Sequence, residues 1–481
     1  MSNKTELKEN ILALGIPLFL FCAFFLVFGN VSKSAVYIAL TGGVLFSSWL
    51  LFFKISWFYL LLIALIPFSQ DIFVGEFAKA NLPSELLLVT FVPFAFLFIR
   101  DYSKGFVALL KHPITVLIVI DIIVGLVSTF QSDHIAVGLK RTLVQVLFFT
   151  GFFVPLFLFK NVKSKYNVWI AYCIGLIPVM YFTIKTHYNH DFNPKIVFSV
   201  CQPYFNDHTV YGACLAFILP FLLILTFKKQ LFKKNKAIKI GLILLLFFVI
   251  VSELLALSRA AILSLVVALL FFFVLKLKVK FVYFISGVLI LSMIALAFSD
   301  NIYKQMEASE NVSNDGQVTN HLSSVTNLNN DASNLERINR WVCAIRMFNE
   351  RPILGFGPGT YQFEYNRFQS AEYKTYISTN AGDKGNAHSE YLGALSEKGV
   401  FGGVVFLLIV LVSLSTGMQN HYNLPDGLLK SLNLAMLLGL VTFFFHAFFN
   451  SFLDQIKIGF LVYSALAGIV AINLKLKNES N

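Results

Sequence analysis

The sequence predicts an all-α polytopic membrane protein with about 14 transmembrane helices and one large, partly helical polar loop. Two observations predict the class. Hydrophobic residues make up 57% and charged residues 13% of the 481 residues, against roughly 45–50% and about 25% in soluble domains. A soluble interior is too small to hide that much apolar side chain, including 53 phenylalanines. The mean hydropathy of +0.73 points the same way. The second observation is the spacing of the apolar runs.

A bilayer core takes about 20 apolar residues per helix, with a working range of roughly 17–25. Runs of that kind fall near 11–28, 35–53, 55–67, 84–99, 113–130, 142–159, 167–184, 208–227, 239–257, 260–275, 281–298, 400–416, 429–449 and 457–473. The third is short enough to be re-entrant. The first lacks a small-residue cleavage site and is followed by further spans, so it reads as a span and not as a signal peptide.

Charge orients the spans. With the N-terminus inside, alternation places Lys4 and Lys8, Lys54, residues 100–111, 160–165, 228–239 and 276–280, and Lys475 and Lys477 on the inner side. Those segments hold the densest lysine clusters, as the positive-inside rule requires. The net charge of +12 is therefore topological and gives no reason to invoke nucleic acid. The five cysteines, Cys22, Cys173, Cys201, Cys214 and Cys343, form no CxxC pair and read as small hydrophobes.

The same parity puts residues 299–390 outside. This segment carries 11 acidic and 8 basic residues, so it is not a basic arm. Through Asn330 it is rich in Asn, Ser, Asp and Thr and reads as a loop. Ser333-Asn334-Leu335-Glu336 then fits a capping box. Ile338, Trp341, Val342, Ile345 and Phe348 follow at helical spacing. Arg351-Pro352 ends that helix, Leu354 to Thr360 makes a glycine-rich turn, and a short helix runs from about His388 to Lys398, stopped by Gly399. The chain thus divides into spans one to eleven (1–298), the loop (299–399) and the last three spans (400–481).

Three outward features are candidates for chemistry. Leu257-Ser258-Arg259-Ala260-Ala261 is so tight a hairpin that Arg259 sits at the outer lipid boundary, where a snorkelling helix-end residue is the alternative to a function. A guanidinium binds a pair of phosphate oxygens in a fork. The helix with Arg337, Arg340, Arg346 and Arg351 is the second feature. A solvated face accounts for Arg346 and Arg351, whereas Arg337, in the first turn, would add the positive helix end to its own charge. The third is Asn386-Ala387-His388-Ser389-Glu390-Tyr391-Leu392. A lone histidine is more often structural, but His388 stands among polar residues at a membrane mouth and imidazole accepts a proton near neutral pH. Glu390 is a weaker candidate for that duty. Lys140 and Arg141, Asp207, His208, His446, Asn450 and Asp454 suggest a polar cavity open to the outside. No P-loop, HExxH or GxSxG is present, and Gly355 to Gly359 lacks the strand and the Lys-Ser/Thr of a phosphate loop.

Taken together, Leu257-Ser258-Arg259-Ala260, Arg337-Ile338-Asn339-Arg340-Trp341, Arg351-Pro352-Ile353-Leu354-Gly355-Phe356-Gly357 and Ala387-His388-Ser389-Glu390-Tyr391-Leu392 followed by Gly399-Val400-Phe401-Gly402 resemble the motifs of the O-antigen ligase / O-antigen polymerase superfamily, in order and spacing across about residues 250–405. Ser389 stands where that pattern usually has Asn.

The resemblance implies a large periplasmic loop and a metal-independent glycosyltransferase with no cofactor. Its donor is a glycan on undecaprenyl pyrophosphate, displayed at the outer face of a bacterial inner membrane, and its acceptor a hydroxyl of lipid A-core or another glycan. Carried over by motif, Arg259 and Arg337 hold the pyrophosphate and His388 is the base. Arg340 is the fallback for Arg337, with Glu390, Tyr391, Arg141, Asp207 and His208 as further substrate contacts. Polymerase and protein O-oligosaccharyltransferase relatives share the motifs. From a different class, an anion transporter stays open, although the chain shows no internal repeat and its unusual charges gather at the outer mouth, not at midplane.

Overall fold

The computed structural model describes residues 47–51, 54–74, 78–100, 103–158, 162–228, 236–297, 332–369 and 385–480. In chain order these form α1 (Ile55–Leu65), β1 (Gln70–Val74), β2 (Ala78–Leu82), α2 (Ser84–Arg100), α3 (Ser103–Leu110), α4 (Pro113–Phe130), α5 (Ile135–Phe148), a π-helical turn (Phe149–Phe153), α6 (Val154–Leu158) and α7 (Val162–Asn189). There follow α8 (His208–Phe227), α9 (Lys236–Leu255), α10 (Arg259–Lys276), α11 (Phe281–Ala297), α12 (Ala332–Glu350), α13 (Tyr361–Phe368), α14 (Glu390–Asn423), α15 (Leu428–His446) and α16 (Ile456–Ser480).

The protein is a helical, polytopic membrane protein. Nine helices among the described residues are long and apolar enough to cross a bilayer, with shorter apolar helices at Ile55–Leu65, Ser84–Pro93 and Phe281–Met293. The expected spans at 11–28 and most of 35–53 lie outside the described residues, as do 298–331 and 370–384 of the expected loop. Each later apolar run coincides with a helix. Two details differ from expectation. The helix expected from 142 starts at Ile135, because Arg141 pairs with Asp454 in another link and can sit within a helix at the bilayer edge. A two-stranded antiparallel hairpin, pairing Gln70 with Leu82 and Val74 with Ala78, stands between α1 and α2. Its ladder satisfies non-helical backbone between two apolar helices.

Two compact units result, Met1–Phe98 with Phe159–Asp207, and Ile99–Leu158 with His208–Asn481. In the first, α1 packs against α7. The approach is so close that a Cβ on Gly175 would meet the Ala64 carbonyl. In the second, α8 and α16 are buried on nearly all sides, whereas α9 and α10 expose apolar rows such as Leu244, Phe247, Leu254 and Leu263, Val266, Leu270. Helices apolar all round are core or membrane helices, and here they are both. Cys173, Cys201, Cys214 and Cys343 are buried and form no disulfide among the described residues, as small hydrophobes would.

Contacts in the second unit sort its links into two ends. At one, Arg351 pairs with Asp133 (3.0 Å), Asn386 donates to the Ser451 carbonyl (3.1 Å), Arg141 pairs with Asp454, and the His208 ring meets the Ala256 carbonyl (2.7 Å). At the other, His112 meets Asn473 (3.3 Å) and Tyr422 donates to the Val279 carbonyl (3.0 Å). The second end carries Lys276, Lys278, Lys280, Lys430, Lys475 and Lys477.

Candidate functional site

The site is framed by two turns that lock into each other. Gly355, Gly357 and Gly359 all have positive φ (66°, 107° and 77°), as does Gly399 (65°). A Cβ on Gly355 would lie 2.4 Å from the Glu397 carbonyl carbon, and one on Gly399 would lie 2.2 Å from the Ile353 oxygen. Backbone bonds from Phe356 to Ser396 (3.2 Å), Gly357 to Glu397 (2.8 Å) and Val400 to Pro352 (2.8 Å) close the join. Ser128 on α4 adds a hydroxyl shared between the Leu354 (2.5 Å) and Glu397 (2.9 Å) carbonyls. Gly399 breaks helical geometry inside α14, so the short helix expected from about His388 to Lys398 is a distinct rod that starts at Glu390. The glycine-rich stretch is a turn, as its sequence implies. Its Gly359 and Tyr361 N–H groups are taken by the Glu397 carboxylate (2.8 and 3.2 Å), where a phosphate loop would hold its anion.

α12 supplies the next layer. Of the apolar row at helical spacing, Ile345 is turned out, 48% exposed, and Ile338, Trp341, Val342 and Phe348 are half-buried. The packed face is Asn339, Cys343, Ala344 and Met347, against Phe356, Tyr361, Tyr365 and Phe368. The offset between the two follows from a polar core that an apolar row cannot serve. Glu336, read as the far end of a capping box, turns inward and accepts from Arg340 Nε (2.9 Å) and the Tyr365 hydroxyl (3.0 Å). Asn339 donates to that hydroxyl (3.0 Å). α12 begins by Ala332, which places Arg337 in its second turn. The first-turn N–H groups therefore lie a turn away, and the expected dipole contribution to an anion at Arg337 is weakened.

Arg340 joins this layer to the histidine loop. Its Nη1 donates to the Asn386 carbonyl (3.1 Å) and its plane lies 4.9 Å from the Tyr365 ring centroid. The Asn386 side chain accepts the His388 N–H (3.0 Å), and Trp341 Nε1 donates to the His388 carbonyl (3.4 Å). His388 itself has a positive φ of 47°. Ser389 caps the following rod by accepting from Leu392 N (3.4 Å). Serine thus performs an N-cap role at the position where the resembling motifs have Asn.

The His388 ring is held neutral. Burial, then the charges of Arg340 and Arg337, push its pKa down to about 3, against a hydrogen bond with Asn450 that works the other way. The charge of Arg337 also reaches His446 at the end of α15. Beside the loop lies a cavity of about 140 Å³ whose walls include Asp121, Arg141, Gln145, Glu390, Glu397 and Lys398. Among the described residues no group of three or more His, Cys, Asp and Glu is placed to hold a metal ion.

Residues 244–407 match the family model described as O-antigen ligase. This stretch is an O-antigen ligase domain. No curated protein matches the chain. The O-antigen ligase domain runs from within α9 to within α14 and contains the four motifs that resemble the ligase/polymerase superfamily. The family that this stretch matches is one of glycosyltransferase or ligase-type enzymes.

Within the O-antigen ligase domain, Arg337 and Arg340 come together with His388. Arg259 stands exposed at the first residue of α10, after a hairpin strained at Leu257 (φ 48°). α10 packs on α15, the helix that ends in His446. Glu390 has a holding role: its Oε1 accepts from Phe452 N (2.6 Å) and Leu453 N (2.7 Å). Tyr391 donates to the Phe444 carbonyl (3.1 Å) and stacks on Phe448. Arg346 donates to the Phe368 carbonyl (3.2 Å), so with Arg351 it braces the loop and is more than a solvated face.

Outside the domain, Arg141 reaches the cavity from α5. His208 is a buried joint to the α9–α10 hairpin, and Asp207, half-buried, precedes α8. Sequence reasoning missed Asp121, Gln145, Glu397 and Lys398. Lys398 donates to Asp121 Oδ1 (2.5 Å) and Gln145 to Oδ2 (2.5 Å). An aspartate in the middle of an apolar run was the available signal.

Proposed function

We propose that this protein transfers a glycan from an undecaprenyl pyrophosphate carrier to an acceptor hydroxyl at the outer face of a bacterial inner membrane. The observation that carries the reading is the convergence of Arg337 and Arg340 on a half-buried, neutral His388 inside the O-antigen ligase domain. A neutral imidazole can take the proton of the attacking hydroxyl. Departure of a pyrophosphate concentrates negative charge, which pre-placed guanidiniums stabilise without a divalent ion. Arg337 and Arg259 are the pair we assign to the pyrophosphate. Arg340, already bonded to Glu336 and Asn386, positions the histidine loop.

The positive-inside rule favours the lysine-rich end of the second unit as the cytoplasmic one; on that reading the histidine loop is periplasmic, and the lysine count of the sequence supports both termini inside. The cavity beside the loop, with Arg141 in its wall, gives an acceptor sugar a polar berth. Lipid A-core is the acceptor we favour over a growing polysaccharide chain.

The test is transfer by the purified protein from lipid-linked donor, in the presence of a chelator. Wild type is expected to transfer and His388→Ala to lose about 10²–10⁴-fold. A His388→Ala protein of full activity overturns the mechanism. In cells, a ligase leaves long glycan on the carrier when inactivated, whereas a polymerase leaves single repeat units on the acceptor. A cysteine at Ile345 should label from outside and one at Leu277 should not. Both positions are exposed, so the reverse pattern would refute the orientation.

A further inference from the structure

α15 lies outside the O-antigen ligase domain, yet it delivers a second imidazole to the site. His446 is 2% exposed and Asn450 3%. Both ring nitrogens of His446, Asn450 Nδ2, Ser451 Oγ and His388 Nδ1 are buried without a hydrogen-bond partner among the described residues. More than about 90% of buried polar groups are satisfied in folded proteins. Four of these atoms lie on the short stretch from His446 to Ser451 at the end of α15, and the fifth is on His388, whose ring Asn450 bonds; together they mark a place built for a hydrogen-bonding ligand. Their chemistry says which kind. Asn450 Nδ2 can only donate, and a neutral imidazole brings one N–H. Arg337, whose charge acts on both His388 and His446, adds a fixed cation. The set calls for a ligand with several acceptor oxygens and negative charge, which is a phosphate group.

We propose that His446 is a second catalytic histidine that donates its ring N–H to the leaving pyrophosphate of the donor, with Asn450 beside it. The inference rests on the transfer reaction proposed above and assigns the leaving-group side of it. The acceptor proton goes to His388, and the acceptor oxygen forms the bond to the anomeric carbon. The electron pair of the broken carbon–oxygen bond departs with the pyrophosphate, where the charge it adds meets the His446 N–H and Arg337. His446 starts and ends the step neutral, so no further proton has to be supplied.

The experiment compares His446→Gln with His446→Met in the full-length protein in lipid nanodiscs. The two side chains are alike in length and flexibility, but only glutamine offers an N–H. Probes are undecaprenyl pyrophosphate and undecaprenol for binding, and single-turnover transfer from lipid-linked donor for chemistry. A hydrogen bond to a charged group is strong enough that its loss should weaken undecaprenyl pyrophosphate binding by roughly 10- to 100-fold in the Met variant. Single-turnover transfer should fall at least as far, while the Gln variant stays close to wild type and undecaprenol binding is unchanged in both. His446→Leu replaces Met if that variant does not accumulate in the membrane. Equal pyrophosphate binding and transfer by the Gln and Met variants overturns the proposal while leaving the transfer reaction standing. Wild type that binds undecaprenol as well as undecaprenyl pyrophosphate overturns the transfer reading itself, and this assignment with it.

Discussion

Lys398 donates a hydrogen bond to Asp121 from 277 residues further along the chain. Both side chains are largely buried. The pair pins the rod that follows His388 to the middle of α4. A charge left alone in such a place loses its counter-charge, and an unpaired Asp121 would keep only the Gln145 amide. Breaking a buried pair from one side typically costs about 3–5 kcal/mol, whereas replacing both partners is often close to neutral. Lys398→Met should therefore lower the thermal midpoint of the purified protein sharply, and Asp121→Leu combined with Lys398→Met should recover most of the loss. A double variant as unstable as the sum of the singles would count against a buried pair.

The interlocked turns give a second prediction. Gly355→Ala forces a Cβ into a left-handed position, which costs roughly 1–2 kcal/mol before any clash, and then drives it against the Glu397 backbone. Gly393→Ala is the control, because the added Cβ meets nothing nearer than 3.9 Å and alanine favours the helix by about 1 kcal/mol. Folded yield in the membrane should fall for the first and hold or rise for the second.

Much of this architecture was legible because lipid makes composition informative. Apolar runs and lysine clusters located the spans and grouped their ends, and Gly399 marked the end of the rod after His388. The sequence was less useful where polar groups meet inside the fold. The row Ile338 to Phe348 was the visible periodicity of α12, but the fully buried positions lie beside it, where Glu336 and Asn339 share the Tyr365 hydroxyl. Glu390 looked like a possible base, yet it and Glu397, which was not singled out at all, both spend their carboxylates on backbone N–H groups of neighbouring links. The partners lie 36 to 63 residues away, and no local pattern encodes them. Asp121 was hidden for the same reason, since its partner is remote and its own surroundings are only apolar.

Arg340 should behave as a positioning residue. Its guanidinium bonds Glu336 through Nε and the Asn386 carbonyl through Nη1 at once, a geometry a lysine ammonium cannot reproduce. Arg340→Lys keeps the charge near His388 but releases the loop. Transfer should drop by about tenfold or more, mainly in kcat, because misplacing a reacting group by about an ångström can cost 10²-fold. Gly385→Ala should do the same from the other side, as its Cβ would fall 2.0 Å from Arg340 Nη1. If both variants change only KM, Arg340 contacts substrate and is not a brace.

The depressed basicity of His388 makes the pH behaviour specific. An unperturbed histidine titrates near 6.5, and His388 is pushed down to about 3, first by burial and then by Arg340 and Arg337. Asn450, which hydrogen-bonds the ring, carries no charge. In the free enzyme the ring is therefore already in its base form across ordinary pH. The acid limb of kcat/KM, which reports the free enzyme, should lie well below pH 6.5. A bound pyrophosphate offsets the two guanidiniums, so the acid limb of kcat should sit at higher pH than that of kcat/KM. The stability consequence has a definite sign. Below pH 6.5 the unfolded chain takes a proton at this histidine while the folded chain does not, so the unfolded state is favoured. The contribution is intact above pH 6.5 and is lost progressively as pH falls toward 3. Thermal midpoints of wild type and His388→Gln should therefore run parallel above neutrality, with wild type losing ground between pH 6.5 and 4. A kcat/KM profile that breaks at pH 6.5, with parallel midpoints throughout, would show an unperturbed imidazole and remove the electrostatic link between His388 and the arginines of α12.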